Sequence, residues 1–578
     1  MGDLVQKVKI KIDGKSLTVL AGKTIFDVAK DNNIFIPSLC LHPDLEVKAN
    51  CRVCVVEISG RAKLMTACST KVEAGMEIFT DSPRVIAARN LNIEMIFAQH
   101  IEKCPSCSYR FNCALLDLAR RYKLKINRFP ERKSDRITYK FANAVEIDGS
   151  QCIDCRNCVE ACSKIQKINF LEVRGQGINR EIVPTDNKDI DCIYCGQCAL
   201  HCPVNSAAEQ ESIGELEKVL ADKKKIVVVQ FAPSVRVTIG EEFSSPYDEK
   251  SSARLVAALK ELGFDYVFDV NFGADMTTMI EAQELIERLK NNSKKMPLIT
   301  SCCPAWVKYV EFYHPELIPN LTSARSPQIH LGGVIKTYWA KQKNIDSRKI
   351  FTVSIMPCTA KKFEAHREEL RINGMYPVDL VLTTRELAFL MKKNRINLAE
   401  IKPQDNNLEL NSGSGAAVIY GSSGGVMESA LRTAYSMLCG DKNAKICESR
   451  LEFNEVRGAA EIKEMEVDIA GRHLRVAVVN GIGAIDKILP EIKKYDYVEV
   501  MACPGGCIGG GGQPLPTTTA IIKKRSAALY ATDKNKKIRK AHENTEVLNA
   551  LTWLEEKKLS HNVLHTTYIK RRAKKNKK

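Results

Sequence analysis

Cysteine is the residue type that most restricts the chemistry open to this chain. The 578 residues include 22 cysteines, and 20 of them fall into tight groups. An intracellular protein keeps its thiols reduced, so grouped cysteines indicate metal binding rather than disulfides. The sequence therefore predicts a protein whose chemistry depends on bound metal.

The first group, Cys40, Cys51, Cys54 and Cys68, has the spacing C-x10-C-x2-C-x13-C. It follows a predicted strand pair (8–12 and 16–19) and a short predicted helix (24–31), which places three thiols in one loop and the fourth on a later strand. This arrangement is similar to that of plant-type ferredoxins and favours a 2Fe–2S cluster, although the first gap is longer. A tetrahedral zinc site is the alternative.

The second group, His100, Cys104, Cys107 and Cys113, is spaced H-x3-C-x2-C-x5-C. Three thiolates leave one iron of a 4Fe–4S cluster without a ligand, and His100 is the nearest residue able to supply it. One His and three Cys would also serve a structural zinc ion. Between two iron–sulfur groups, we expect a His-ligated 4Fe–4S cluster.

Two further runs share the spacing C-x2-C-x2-C-x3-C, the pattern of bacterial two-cluster ferredoxins. In that pattern the fourth cysteine of each run ligates the other cluster. Cys202 should therefore complete the first cluster and Cys162 the second. The runs are Cys152, Cys155, Cys158 and Cys162, then Cys192, Cys195, Cys198 and Cys202.

The chain changes character after about residue 223, where apolar strand-length segments alternate with amphipathic helical ones. Predicted helices include 253–262 and 279–289. Such alternation indicates a parallel sheet, whose site lies at the carboxyl ends of the strands. The predicted strands are 226–229, 266–268, 298–300, 350–356, 378–382 and 497–501.

Five cysteines lie at those strand ends, in three motifs. They are TSCCPAW at 300–306, MPCTAK at 356–361, and EVMACPGGC at 499–507, which is followed by glycines at 509–512. In this order they resemble the three signatures of FeFe-hydrogenases. The resemblance runs from the N-terminal module to about Tyr568, and the modular order is similar to both clostridial ferredoxin-linked enzymes and catalytic subunits of NAD(P)-linked hydrogenases.

The resemblance implies an α/β catalytic domain with parallel sheets around an H-cluster, preceded by ferredoxin-like α+β iron–sulfur modules. The expected domains are a 2Fe–2S module (1–85), a His/Cys-ligated 4Fe–4S module (86–140), a two-cluster ferredoxin-like domain (141–215), the catalytic domain (216–568) and a basic tail (569–578). The cofactors expected are one 2Fe–2S cluster, three 4Fe–4S clusters and the H-cluster.

By the same resemblance, Cys303, Cys358, Cys503 and Cys507 hold the 4Fe–4S half of the H-cluster. Cys507 bridges it to a diiron unit that carries CO and cyanide. Cys302 is the free thiol that donates protons to the amine bridge of that unit. The glycines of the third motif should let backbone N–H groups approach cluster sulfurs.

A proton route to Cys302 is also implied. Glu281, Glu284 and Arg288 share one face of the helix predicted at 279–289. Glu281 and Glu284 would carry protons through the hydroxyl of Thr322, where the clostridial enzyme has Ser, while Arg288 holds the outer carboxylate. A solvated Glu/Arg face is the alternative.

Other residues line the diiron pocket by resemblance. Lys361 should donate to a cyanide, and Ala232, Pro233 and Ser234 should contact the other. Tyr420 replaces a Phe of the clostridial enzyme, and Cys439 and Cys447 match no motif and are expected to be ordinary buried thiols. The remaining predicted lining residues are Met356, Met501, Pro327 and Gln328.

The composition and charge of the chain exclude some classes of binding partner. The net charge is +17, but seven basic residues fall in the last nine, which we expect to fray, and no aromatic residues interleave with a basic stripe. We therefore expect no nucleic-acid binding, and the basic surface would suit an acidic electron carrier. No segment is long and apolar enough for a membrane span, and the N-terminus lacks a signal-peptide pattern, which favours the cytoplasm.

The function expected is reversible formation of H2 from protons and electrons. Gly481-Ile482-Gly483 lacks the third glycine of a dinucleotide fingerprint, so flavin- and NAD(P)-binding subunits would have to supply any nicotinamide coupling. The expected partners are ferredoxin or another carrier, such subunits, and maturation proteins. An H2 sensor and an iron–sulfur assembly scaffold are the alternatives from other classes.

Overall fold

The computed structural model describes residues 6–98, 100–291, 293–404, 408–410, 413–439, 451–469 and 471–572. Cys447 and residues 573–578 of the basic tail lie outside these ranges, and so does any description of the Cys439 side chain. No helix in the described residues is long and apolar enough to cross a membrane.

The N-terminal module is a five-stranded mixed sheet with one helix against it, Ile25–Asp31. The Thr24 hydroxyl accepts a hydrogen bond from the backbone N–H of Asp27 at 3.1 Å and so starts the helix. Cys68 lies in the turn after a two-residue strand, not on the strand itself, which corrects our placement of that thiol. In sheet order the strands are Lys15–Leu20, Lys7–Ile12, Glu77–Phe79, Val55–Ile58 and Met65–Thr66.

A helical segment follows, with helices Pro83–Phe97 and Ala114–Arg121 on either side of the 3-10 turn Ile101–Ser106. Buried Arg89 attaches the first helix to the N-terminal sheet, because its guanidinium donates to the carbonyls of Val53 at 3.2 Å and Val55 at 3.0 Å. The second cysteine group is thereby packed against the first module.

The ferredoxin-like domain repeats one backbone pattern twice. Helices Asn157–Glu160 and Gln197–Leu200 each carry the third cysteine of a run, and each follows a residue with positive φ, Arg156 (62°) or Gly196 (70°). Helix Asn157–Glu160 continues into the π-helical turn Ala161–Ile165. The strands are Thr138–Phe141, Val145–Asp148 and Ala207–Glu209 in one sheet, and Leu171–Arg174 with Glu181–Pro184 in a hairpin.

Two sheets organise the C-terminal half. The first is wholly parallel, with the order Leu380–Thr383, Ile350–Met356, Ile226–Phe231, Tyr266–Asp269 and Leu408–Glu409. The second has the order Leu298–Ile299, Tyr497–Met501, Arg472–Asn480 and Ile462–Ile469, and only its last strand is antiparallel. The expected α/β domain with parallel sheets is confirmed.

Helices cover these sheets, and the one that bears the predicted proton route is longer than expected. It spans Asn271–Lys290, whereas the sequence pattern indicated only 279–289, because its first half is buried on every side and shows no amphipathic period. The other helices of four or more residues are Ile213–Ala221, Pro233–Thr238, Ser251–Glu261, Pro304–Tyr313, Pro327–Val334, Ala360–Ala365, Thr384–Lys393, Gly415–Val418, Gly425–Cys439, Thr519–Asn535, Thr545–Glu556 and Ser560–Leu564.

The start of the basic tail is tethered rather than frayed. The backbone N–H of Arg571 donates to the carbonyl of Glu311 at 2.8 Å, and its guanidinium contacts the Glu311 carboxylate at 2.7 Å. Glu311 is fully buried and is also paired with Arg367. The charge run was misleading here, because a buried carboxylate on another segment captures Arg571.

Candidate active site

A cavity of about 70 Å³ opens where strands of the two sheets end. Cys358 follows strand Ile350–Met356 by two residues, and Cys503 follows Tyr497–Met501 by two. Cys303 precedes helix Pro304–Tyr313, and Cys507 lies in the 3-10 turn Gly506–Gly509. All four thiols line the cavity.

The rest of the lining contains every pocket residue that the resemblance indicated. These residues are Ala232, Pro233, Ser234, Cys302, Pro327, Gln328, Met356, Lys361, Tyr420 and Met501. Most of the wall is apolar, and the cluster of buried side chains around Cys302 includes Ala274, Val426 and Met501. Such a wall keeps water away from whatever the four thiols hold.

The donor set fits an H-cluster. Burial raises the pKa of the Cys358 and Cys507 thiols to about 12 each, so cationic iron is what would hold them as thiolates. Two fully buried polar atoms of the lining, Ser234 Oγ and Gln328 Oε1, have no hydrogen-bond partner in the described structure. A ligand with polar groups of its own, bound in this four-thiol cavity, would supply the hydrogen bonds that these two atoms lack.

Lys361 brings a positive charge to the cavity. Its ammonium donates to the carbonyl of Cys302 at 2.9 Å and to the Glu364 carboxylate at 2.8 Å. Burial lowers the pKa of Lys361, but Glu364 and the thiols of Cys302 and Cys358 raise it by more, so the ammonium stays charged. Glu364, which sequence reasoning missed, holds this cation in place.

The outer part of the predicted proton route is connected. Thr322 donates to the Glu284 carboxylate at 2.7 Å, and Arg288 donates to the other oxygen of that carboxylate at 2.5 Å. Arg288 also donates to three backbone carbonyls, so it is part of the scaffold as well. The Ser323 hydroxyl also donates a hydrogen bond to the Glu284 carboxylate, at 3.2 Å.

The inner part centres on Glu281, which is fully buried. Tyr497 donates to one of its carboxylate oxygens at 2.6 Å, and the other oxygen has no partner among the described residues. Burial raises the pKa of Glu281 to about 8, against the lowering effect of the Tyr497 hydroxyl. A carboxyl group with this pKa exchanges protons near neutrality, which suits a relay to Cys302.

Two family models of hydrogenases match the catalytic half of the chain. The model of the iron-only hydrogenase large subunit, C-terminal domain, matches residues 225–511, and that of the iron hydrogenase small subunit matches 519–571. The chain is 38% identical to the NADP-reducing hydrogenase subunit HndD of Solidesulfovibrio fructosivorans, over 97% of this chain and 99% of that protein. The chain belongs to the iron-only hydrogenase family.

Two further matches are also named hydrogenases. Iron hydrogenase 1 of Clostridium pasteurianum is 38% identical over 97% of this hydrogenase and all of the relative. An apo form of the FeFe-hydrogenase HydA1 from Chlamydomonas reinhardtii superposes with a TM-score of 0.54 at 38% identity, covering 62% of this chain and 98% of that one. The family, fold and enzyme class expected from the motifs are confirmed.

The N-terminal modules of the hydrogenase match three iron–sulfur domain models. These are a 2Fe-2S iron-sulfur cluster binding domain at 5–83, the NADH-ubiquinone oxidoreductase-G iron-sulfur binding region at 89–128, and a 4Fe-4S dicluster domain at 151–206. The enzyme therefore carries 2Fe–2S and 4Fe–4S domains ahead of its H-cluster domain.

In the ferredoxin-like domain of the hydrogenase, the fourth thiol of each run lies near thiols of the other run. Burial raises the pKa of Cys155, with Cys202 the largest further contribution among its neighbouring thiols, and Cys162 lies close enough to raise that of Cys198. The two runs also receive matching backbone N–H bonds at 3.3–3.4 Å, as expected for chains that wrap clusters. The donors are Asp154 to Cys152, Tyr194 to Cys192, Phe170 to Cys162 and Ala207 to Cys202.

The two N-terminal groups are also brought together. The sulfurs of Cys54 and Cys68 lie 3.4 Å apart, and Cys40 is hydrogen-bonded to Cys51. His100 is buried, its Nε2 has no partner among the described residues, and burial lowers its pKa to about 4, which leaves a neutral ring able to bind metal. No three or more His, Cys, Asp and Glu side chains in the described chain are placed to hold a single metal ion, so the fit to clusters depends on donor type, burial and N–H bonds.

The relay and the H-cluster site meet at a glycine contact. A Cβ on Gly511 would lie 2.3 Å from the carbonyl oxygen of Cys195, and one on Gly196 would lie 2.4 Å from Thr359 Oγ1. Arg385 fastens this contact by donating to the Gly511 carbonyl at 2.7 Å and to the Glu209 carboxylate at 2.5 Å. Gly511 is therefore required by the close approach of two backbones, a role separate from the expected approach of N–H groups to cluster sulfurs.

Proposed function

We propose that this hydrogenase forms and oxidises H2 at an H-cluster held by Cys303, Cys358, Cys503 and Cys507. The observation that carries the proposal is an apolar-walled cavity in which four thiols meet a free thiol, Cys302, and a charged ammonium, Lys361. When bound, the H-cluster supplies the iron centre at which two protons and two electrons combine. The protein supplies thiolates, a proton donor and exclusion of water.

Cys302 is the residue that passes protons into the cavity. Burial raises the pKa of its thiol well above the usual value, and Glu281 raises it further, so the thiol keeps its proton until an acceptor takes it. Glu281 replaces that proton, and Thr322 and Glu284 replace the one on Glu281. Arg288 keeps the Glu284 carboxylate oriented at the outer end.

Electrons reach the cavity through four clusters, one 2Fe–2S and three 4Fe–4S, in our proposal. The last of them is ligated by Cys192, Cys195, Cys198 and Cys162. Cys195 contributes to the raised pKa of Cys503, which supports a short distance between this cluster and the H-cluster. The loops of Cys195 and Gly511 are also in backbone contact, which keeps the two cluster sites close for the final transfer.

The electron partner we propose is a ferredoxin or similar small carrier. The relative HndD is named as a subunit of an NADP-reducing hydrogenase, so a flavin- and NAD(P)-binding partner is the second candidate, and co-purification with such subunits from the native cell would favour it. Maturation proteins must install the diiron unit. We also propose a cytoplasmic location, because grouped cysteines that serve as metal ligands rather than disulfides are typical of a reducing compartment.

The test is anaerobic H2 evolution from reduced methyl viologen by the purified chain, matured with the diiron unit. Rapid evolution is expected, since a small dye delivers electrons without a protein partner. No evolution from a chain with verified diiron content would refute the catalytic assignment and favour an H2 sensor. A Lys361→Met variant is the matched control, and it should lose diiron content and turnover together.

A further inference from the structure

A surface groove of about 430 Å³ joins the 2Fe–2S module to the ferredoxin-like domain. Two cysteines assigned to different clusters line it, Cys51 of the first group and Cys152 of the third. Each is less than a tenth exposed. Because both thiols line the groove, anything seated in it would lie next to two clusters at once.

The groove is held by direct bonds between the modules. Asn50 donates from its amide to the carbonyl of Asp154 at 2.9 Å, and Lys133 donates to the carbonyl of Cys152 at 2.5 Å. Asn92, on the helix Pro83–Phe97, donates to the carbonyl of Arg52 at 2.7 Å. A preformed surface of this kind binds a partner without first having to order itself.

Its charge has a single sign. The charged side chains that line the groove are Arg52, Arg132 and Lys133, and no carboxylate lines it. Arg52 is exposed, and its guanidinium has no hydrogen-bond or ion-pair partner among the described residues. Exposed apolar side chains, Met95 and Ile178, complete the lining and offer area for contact.

Two other surface grooves near cluster cysteines differ in charge. The one lined by Cys68 contains Asp27, Asp117 and Lys30. The one beside Cys192 mixes four basic side chains with three acidic ones, and it is lined by Arg174, Asp186, Lys188, Asp189, Asp191, Arg571 and Arg572. Of the three, the groove at Cys51 and Cys152 is the one whose charge complements an acidic surface.

We propose that this groove is the docking site of a small acidic iron–sulfur electron carrier. The inference rests on the proposed function and deepens it by naming the surface at which electrons enter. Each docked carrier gives one electron to the cluster at Cys51 or Cys152 and leaves oxidised by one electron. Two such transfers and two protons yield one H2.

Binding is tested on the chain with its N-terminal clusters reconstituted but without the diiron unit. Isothermal titration with an acidic two-cluster 4Fe–4S ferredoxin should give a Kd that rises about tenfold in Arg52→Glu, since one attractive contact becomes repulsive. Arg132→Glu should act in the same direction. The matched control is Lys30→Glu, the same charge reversal on the same module in the groove at Cys68, which should leave the Kd within about twofold.

Activity is measured next on the matured enzyme. H2 evolution driven by the reduced ferredoxin should fall in Arg52→Glu in proportion to the Kd, and the loss should shrink as salt is added. Evolution driven by methyl viologen should persist in all variants. An equal effect of Lys30→Glu, or an unchanged Kd in both groove variants, would overturn the docking site, whereas loss of viologen activity in the wild type would overturn the catalytic assignment instead.

Discussion

Replacing Tyr497 with Phe removes one oxygen atom and one hydrogen bond from the inner end of the proton route. Tyr497 and Glu281 are both fully buried, and the Tyr497 hydroxyl is the one group bonded to the Glu281 carboxylate in the described structure. The Phe ring keeps the packing of the Tyr497 core cluster. The substitution therefore acts on the ionisation of Glu281 rather than on the fold.

The size of the effect follows from the bond. A hydrogen bond to an ionised group contributes about 1.5–3 kcal/mol, equivalent to about one to two pKa units. The pKa of Glu281, about 8 in the wild type, should therefore rise to about 9–10 in the variant. At pH 7 the ionised fraction of Glu281 then falls by about 10- to 100-fold.

Oxidation of H2 depends on that ionised fraction, because a proton leaving Cys302 needs an unprotonated Glu281 to accept it. We expect the oxidation rate at pH 7 to drop by about tenfold or more. Its rise with pH should shift to higher pH by about one to two units. H2 evolution draws on protonated Glu281, so its decline at high pH should shift in the same direction.

The assay is protein-film voltammetry of both directions between pH 5 and 10. Tyr435→Phe is the matched control, since Tyr435 is a buried tyrosine of the same core cluster and does not contact Glu281. If the pH profiles of oxidation and evolution in Tyr497→Phe coincide with those of the control, the assigned role of the hydroxyl is refuted.

Further substitutions test the other parts of the enzyme. Cys302→Ser should retain every cluster signal while H2 evolution falls at least about 100-fold, and full turnover would exclude the thiol as proton donor. Thr322→Ser should keep activity and Thr322→Val should lose about 10- to 100-fold, with equal rates in the two ruling out a hydroxyl relay. Arg385→Ala should destabilise the chain by about 3–5 kcal/mol in urea unfolding, because it leaves a buried carboxylate unpaired; an unchanged midpoint would contradict this. His100→Ala should lower the iron content by one 4Fe–4S cluster, which unchanged iron would disprove.

The grouping of the candidate cluster cysteines could be predicted from sequence because their spacing is local, whereas the pocket residues were predicted by resemblance. A run such as Cys192 to Cys202 must wrap one cluster with a few residues of chain, so its chemistry is written in consecutive positions. The same holds for the motif at Cys503 and Cys507. That motif also follows the strand predicted at 497–501, which placed it at one edge of the sheets.

Residues that act through long-range contacts could not be found this way. Tyr497 lies 216 positions from Glu281, and inside a buried strand it is indistinguishable from an ordinary core aromatic. Glu364 is three positions from Lys361 on the helix Ala360–Ala365, a spacing that indicates an ion pair, and the sequence offered that signal without our using it. Arg385 lies 126 positions from Gly511 and meets it only through the folding of the catalytic domain.

In the proposed function, protons and electrons enter the site through structures of opposite kinds, and this difference explains why the members of both routes were predicted while the tuning of the proton route was not. The electron route is made of clusters whose ligands are fixed in residue type and spacing. Its last junction requires glycine, because a side chain at position 511 would hold Cys195 and Gly511 apart. The proton route is made of groups whose pKa values must be tuned by burial and by neighbours such as Tyr497. The rate of proton transfer is therefore set by residues outside the motifs. We expect relatives that differ in proton transfer to differ at residues such as Tyr497, which contact the route, rather than at Cys302 and the two glutamates.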